Sequence, residues 1–321
     1  MGRAWELMVA AAFVLLVGAV LAAAGIEALF LILERIRRKE PPKTRGRQRF
    51  RRGVLGLAGL GVLCFAWALF VEPYWPEVTR TRIESPLVLP GARPVRIVHL
   101  SDFHCEGKVR LEERLPALVA AERPDAIVYT GDGINEPAGL PVLRRLLEDL
   151  SKVAPVFVVG GNWDAWYFTR LERFTGTGVR QLDGRSERIL AGTTPVNFAG
   201  IFFGHETRID AALAGVPPTE LCVFAYHTPD LALDLPARGV DLYLCGHTHG
   251  GQVRLPFYGA LLTLARYGKR FEAGLYEVDG MRLYVTRGIG MEGHSLPRVR
   301  FLCRPEVSVL EIGPPGSRPQ E

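Results

Sequence analysis

The sequence predicts an α/β domain preceded by an amino-terminal hairpin of two membrane-spanning helices, and three observations predict it. Two apolar runs, residues 7–33 and 54–71, flank a strongly basic segment. Beyond residue 94, short runs rich in β-branched residues recur, and the first three alternate with helical patterns. These runs end in glycine or polar residues, as strands buried on both faces do before a loop.

The first apolar run, "LMVAAAFVLLVGAVLAAAGIEALFLIL", holds one charge, Glu27. A bilayer core needs ~20 apolar residues in a helix, and this run exceeds that. The stretch "AAAG" at 22–25 also resembles a signal-peptide cleavage site, but apolar character continues to Leu33. The second run, Val54 to Val71, is uncharged and interrupted by glycines. Residues 1–71 therefore read as a membrane anchor with a basic loop at 34–52. That loop carries ten Lys/Arg against two Glu, a local +8 within a net charge of +5. Basic loops stay in the cytoplasm, which puts both ends of the hairpin and the following domain on the outer side of the membrane. If only one helix spans, the domain faces the cytoplasm instead. Arg51-Arg52 also resembles a twin-arginine export signal, and the basic run reads equally as a patch for acidic lipids.

Residues 72–93 read as a linker, because four prolines exclude a continuous helix. Trp67, Tyr74 and Trp75 suit an interfacial aromatic belt. The globular domain spans 94–312, and the tail 313–321 reads as disordered. Outside the basic loop the chain has 29 basic and 32 acidic residues, so no basic face for nucleic acid remains. Five scattered cysteines without a CxxC pair argue against a disulfide framework and against thiolate zinc. There is no internal repeat.

Within the domain, strands are expected at 95–100, 125–130, 155–160, 196–201, 221–226 and 240–244, with helices over Leu111–Ala121 and Leu140–Leu150. The segments "AGLYEV", "MRLYVTRG" and "EVSVLEI" read as antiparallel strands, with a tight turn at Asp279-Gly280.

The strand ends carry the chemistry. Asp102 and His104 follow the first strand, Asp132 the second, and Asn162 and Asp164 the third. His227 follows "LCVFAY", and His247 and His249 follow "VDLYL" within "CGHTHGGQ". Two histidines two residues apart point to one side of an extended segment, and the flanking glycines free the backbone. Singly, each piece has an ordinary explanation: a turn, a helix cap at Asn162, solvated loop histidines. Jointly, five strand ends deliver carboxylate, amide and imidazole groups, the mixed O/N set that borderline divalent metals accept.

These residues resemble the calcineurin-like metallophosphoesterases, whose motifs D-x-H, G-D, G-N-x-D/E, H and G-H-x-H occur here in order from Asp102 to His249. "GHTHGGQVRLP", "YVTRGIGMEG" and the "EPYWPEV" segment look like a bacterial, membrane-linked branch. The resemblance covers about residues 72–312. It implies a four-layer αββα sandwich and two divalent ions, with Mn, Fe and Zn all suited. It implies that Asp102, His104 and His249 hold one ion, Asn162, His227 and His247 the other, and Asp132 bridges them. It further implies attack on phosphorus by a hydroxide between the metals, and a role for Asp164 in orienting a histidine ligand. Many members carry a histidine after Gly-Asn as proton donor. Here the residue is Trp163, which cannot transfer a proton at neutral pH. That favours an acidic leaving group such as a pyrophosphate, or a substitute acid at His205 or His294. His99, inside a strand, reads as a core residue.

The expected function is thus a membrane-anchored phosphoesterase acting on a phosphodiester or pyrophosphate of a lipid-linked or cell-envelope substrate. One activity known in the branch is the hydrolysis of UDP-2,3-diacylglucosamine in lipid A synthesis. An outward-facing domain fits an envelope phosphodiesterase better. A metal-holding scaffold without turnover is the alternative of another class. Trp166 and Tyr167 stand beside the motif as candidate contacts for an acyl chain, sugar or base, or as helix-packing residues.

Overall fold

Helix α1 (Arg3–Ile36) and helix α2 (Arg45–Phe70) carry the two apolar runs. The computed structural model describes residues 3–37, 44–293 and 297–316. Each helix is long and apolar enough to cross a membrane, and most of its large side chains face outward. The arginines from Arg45 to Arg52, expected in a loop, form the first turns of α2. Their long stems suit a helix, and nothing in the stretch breaks one. Glu34 and Arg51 pair at 2.9 Å and join the helices near their connection.

Residues 72–93, expected as a linker, instead contain strand β1 (Glu77–Glu84). The prolines exclude a helix but not "EVTRTRIE", whose β-branched residues suit a sheet edge. The sheet therefore begins before residue 94.

The chain continues through β2 (Val95–Leu100), α3 (Leu115–Ala121), β3 (Ala126–Tyr129), α4 (Leu140–Ser151), β4 (Val156–Val158), α5 (Asn162–Tyr167) and β5 (Arg180–Gln181). Then follow β6 (Arg185–Ala191), β7 (Thr194–Gly200), α6 (Ile209–Leu213), β8 (Leu221–Ala225) and β9 (Leu242–Cys245). A small hairpin of β10 (Arg254–Leu255) and β11 (Gly259–Ala260) precedes β12 (Gly274–Val278), β13 (Met281–Val285) and β14 (Glu306–Gly313).

Two six-stranded sheets result. Their orders are β1-β14-β2-β3-β4-β5 and β12-β13-β9-β8-β7-β6. Strands β2 to β5 run parallel, β14 lies antiparallel to β2 and parallel to β1, and β7, β8, β9 and β13 run parallel. The sheets face each other across Ile97, Val128, Phe157, Phe198, Val223 and Leu244, all buried. Outside the first sheet, Leu115, Val119, Leu143, Leu147 and Leu150 of α3 and α4 close a second core. Outside the other, Ile209 and Ala212 of α6 join Leu231, Leu235 and Phe271 in a third. This is the four-layer αββα arrangement, with three apolar seams between four layers. All five cysteines are unpaired, and four are buried.

Candidate metal centre

The carboxyl ends of β2, β3 and β4 in one sheet meet those of β8 and β9 in the other, and every loop that leaves there carries a polar side chain inward. The loops are tied by backbone bonds. Asp102 N–H donates to Gly131 O at 2.9 Å, His104 N–H to Asp132 O at 3.0 Å, and Gly246 N–H to His227 O at 2.9 Å. Two glycines permit the crowding. A Cβ on Gly161 would stand 2.1 Å from Asp132 Oδ1, and one on Gly246 would stand 2.3 Å from Asp102 Oδ2.

Five of the side chains sit on left-handed backbone: Asp102, His104, Asp132, His247 and His249, with φ between 44° and 69°. Aspartate and histidine tolerate this region better than most residues, and such strain persists where the surrounding structure holds it. His247 and His249 therefore converge through alternating backbone conformations, not through an extended segment as the spacing predicted.

The groups gather in two clusters. Potential ligand atoms of Asp102, His104 and His249 lie within 4.8 Å of one another, and so do those of Asp132, His227 and His247. The clusters adjoin: Asp132 Oδ2 is 3.1 Å from His227 Nε2 and 3.9 Å from His104 Nε2, while Asp102 Oδ1 is 3.6 Å from His249 Nε2. His104 Nε2, His227 Nε2, both ring nitrogens of His249 and Asn162 Oδ1 are buried without a hydrogen-bond partner. Buried polar atoms are almost always paired, so this concentration of lone pairs fits divalent cations.

Asn162 opens α5, with Gly161 as its cap. The other ring nitrogens are occupied in a way that frees the inward ones. His104 Nδ1 meets Asn135 Oδ1 at 2.7 Å, and His227 Nδ1 meets Thr130 O at 2.6 Å. Such partners fix the tautomer that leaves Nε2 as the donor to a metal.

The electrostatics favour positive charge. Burial pushes Asp102 up to about 7, and pushes His104 and His247 down to about 4. Burial would also lower His227, but the Asp132 and Asp102 carboxylates override it and push it up to about 10.

Asp164 does not orient a histidine. Its carboxylate accepts backbone N–H bonds from Asp132 at 2.9 Å, Gly133 at 3.3 Å and Gly161 at 2.9 Å, with Arg173 Nε at 3.4 Å. It fastens the loop after β3 to the loop after β4. His205 belongs to neither cluster: its Nδ1 meets Asp183 at 2.8 Å, and its ring stacks on Phe202. His294 lies outside the described residues. Buried His99 meets Thr130 Oγ1 at 2.9 Å. Trp163 is buried with its ring edge-on to His104, 5.3 Å between centroids. From there aromatic contacts run outward through Tyr167 at 5.0 Å to Trp166 at 6.4 Å, and both of these are exposed.

Two supporting residues escaped sequence reasoning. Asn135 stands three residues after the Gly-Asp motif, a spacing that carries no signal of its own. Arg300 is fully buried and donates to the carbonyls of Arg287, Gly288, Gly290 and Cys303. It clamps the loop whose Ile289 and Gly290 N–H groups bond to Ser101 O and Asp102 O. The strand-end set itself is brought together as one cluster pair, with Asn162 beside it.

Comparison with known proteins agrees with this geometry. The family model for calcineurin-like phosphoesterases matches residues 95–251. The uncharacterised metallophosphoesterase YkuE of Bacillus subtilis is 31% identical over 289 residues, covering 84% of this chain and 98% of that one. The phosphodiesterase YaeI of Escherichia coli is 30% identical over 260 residues, 77% of this chain and 92% of that one. The UDP-2,3-diacylglucosamine pyrophosphatase LpxG of Chlamydia trachomatis is 25% identical over 310 residues, 78% and 93% of the two chains. The ligand clusters, the strand-end motifs and these relatives agree: the chain belongs to the calcineurin-like phosphoesterase family, whose members use a dinuclear metal centre to hydrolyse phosphoesters.

Proposed function

We propose that the chain is a membrane-anchored enzyme that hydrolyses a phosphodiester or pyrophosphate in a lipid-linked or cell-envelope substrate. One observation carries the reading: the metal cleft opens beside the ends of the apolar hairpin. A pocket of about 240 Å³, lined by His247, His249, Leu262, Thr263 and Leu264, forms its mouth. At that mouth Glu6 of α1 bonds to Thr263, and close by Arg300 N–H donates to Ala68 O of α2 at 3.0 Å. A substrate whose apolar part stays in a bilayer would present its phosphate there. Exposed Leu264, Leu302, Trp75 and Phe257 supply apolar surface on this region of the chain.

In this reading Asp102, His104 and His249 hold one divalent ion, Asn162, His227 and His247 the other, and Asp132 lies between. Bound there, the ions supply Lewis-acid charge to the phosphoryl oxygens. The chain's own part is to hold the seven donors rigidly. Asn135 and Thr130 fix two imidazoles, Asp164 and Arg300 lock the loops, and buried Trp163 excludes water beside His104. No proton donor stands at Trp163, which favours a leaving group stable as an anion. The Lys/Arg balance of the hairpin favours an outer-side domain.

A second reading, UDP-2,3-diacylglucosamine pyrophosphatase, is favoured by the LpxG likeness and by the same preference for a phosphate leaving group. The deciding experiment offers the full chain, reconstituted in nanodiscs with Mn²⁺, a panel of UDP-diacylglucosamine, phospholipids and bis-p-nitrophenyl phosphate. Preference for a bilayer-borne substrate over the soluble aryl diester supports the proposal. Equal turnover of both, unaffected by lipid, overturns it.

A further inference from the structure

The carboxylate of Glu6 lies near the amino end of an apolar helix, yet it is fully buried. Its Oε2 accepts two hydrogen bonds from one residue 257 positions away: Thr263 N–H at 2.9 Å and Thr263 Oγ1–H at 2.9 Å. A carboxylate is desolvated at substantial cost, and two donors from a single residue offset part of it. Thr263 sits between Leu262 and Leu264, and all three line the mouth of the metal cleft.

Leu264 has φ of 59°, a left-handed backbone that leucine keeps only when its surroundings hold it. Leu264 and His247 stand together in the wall of that cleft. The first turn of α1 is therefore bonded to a threonine whose neighbour, the strained Leu264, shares a cleft wall with His247 of the second ligand cluster.

We infer that Glu6 is a positioning residue of the metal centre: it pins the Leu262–Leu264 segment and thereby the His247 ring, making helix α1 a structural part of the site as well as a tether. Glu6 touches no ligand itself and acts only through Thr263 and Leu264. The other buried acid of α1, Glu27, has no such line to the cleft in the described contacts. The inference rests on the ligand assignment proposed above.

The test is Mn²⁺ titration of the full chain in nanodiscs, followed by calorimetry and by the exchange-coupled electron paramagnetic resonance signal of paired ions. Wild type is expected to bind two equivalents. Glu6→Ala should keep one equivalent at wild-type affinity and weaken the other by about 10–100-fold, the range for losing a partner that orients a ligand. Glu6→Gln should retain the pair, because an amide oxygen still accepts two hydrogen bonds. Glu27→Gln should match wild type, whereas Thr263→Val should weaken the same single equivalent without adding to Glu6→Ala. If Glu6→Ala fails to fold, Thr263→Val decides alone. Two equivalents at wild-type affinity in either variant overturn the pin. A wild-type chain that binds no second ion overturns the ligand assignment itself, and the pin with it.

Discussion

His227 Nε2 stands 3.1 Å from Asp132 Oδ2, although the two side chains leave different sheets, β8 in one and β3 in the other. The centre therefore exists only when the two sheets are face to face, and metal binding and sheet packing are linked.

Removing either side of that contact should remove the centre. Asp132→Asn and His227→Ala are expected to lose one or both ions and to reduce turnover of bis-p-nitrophenyl phosphate to background. Asn135→Ala, which leaves the ligands in place but frees His104 Nδ1, should cost about 10–100-fold in metal affinity or activity. Elemental analysis of purified protein and a Mn²⁺ dependence of rate check both.

His205 should be dispensable for proton transfer. Its ring is held by Asp183 and Phe202 and joins neither cluster. His205→Ala is therefore expected to change kcat less than about twofold and to leave the pH–rate profile in place, far from the ~10²–10⁴-fold loss of a general acid. A lost alkaline limb in that profile would contradict the placement.

Trp166 and Tyr167 are exposed members of the aromatic run that starts at His104. Trp166→Ala is expected to raise KM for an amphiphilic substrate while leaving the aryl diester unchanged, at a cost of about 1 kcal/mol or fivefold. Steady-state kinetics with both substrates separate the effects.

Stability should fall with acid through Glu306. Burial alone would raise its pKa, but the Arg287 guanidinium at 3.1 Å, with bonds from Thr79, the Arg287 N–H and Tyr284, holds it below the ordinary carboxylate value. A depressed folded-state pKa means its contribution is complete above about 4.5, the unfolded value, and is lost as pH drops through the folded one. Glu306→Gln is expected to cost about 3–5 kcal/mol at pH 7, and the gap to wild type should close as pH drops through the lowered folded-state pKa. Thermal unfolding at a series of pH values measures it.

The residues of the two clusters were legible because they lie in the local pattern: an apolar run, then a carboxylate or imidazole at the strand end. The central strands were legible for the same reason, being buried on both faces. Strand β6, "RSERILA", was not, since a half-exposed edge strand mixes charged and apolar residues without a continuous run. Strand β1 was hidden by neighbouring prolines. The role of Asp164 was misread because a carboxylate that binds three backbone N–H groups looks, in sequence, like one that binds an imidazole. Asn135, Arg300 and Glu6 act across 31, 10 to 13 and 257 residues respectively, and no local period reports contacts of that kind.

Strand β14 lies between β1 and β2, pairing with Glu77–Glu84 on one side and Val95–Ile97 to His99 on the other. The first strand to leave the ribosome after the hairpin thus waits for the last one before it has a neighbour. That edge can close only after β14 has been made, so β1 stays an orphan strand while the intervening domain is synthesised. In this topology the return of β14 fastens the hydrolytic domain to its own beginning.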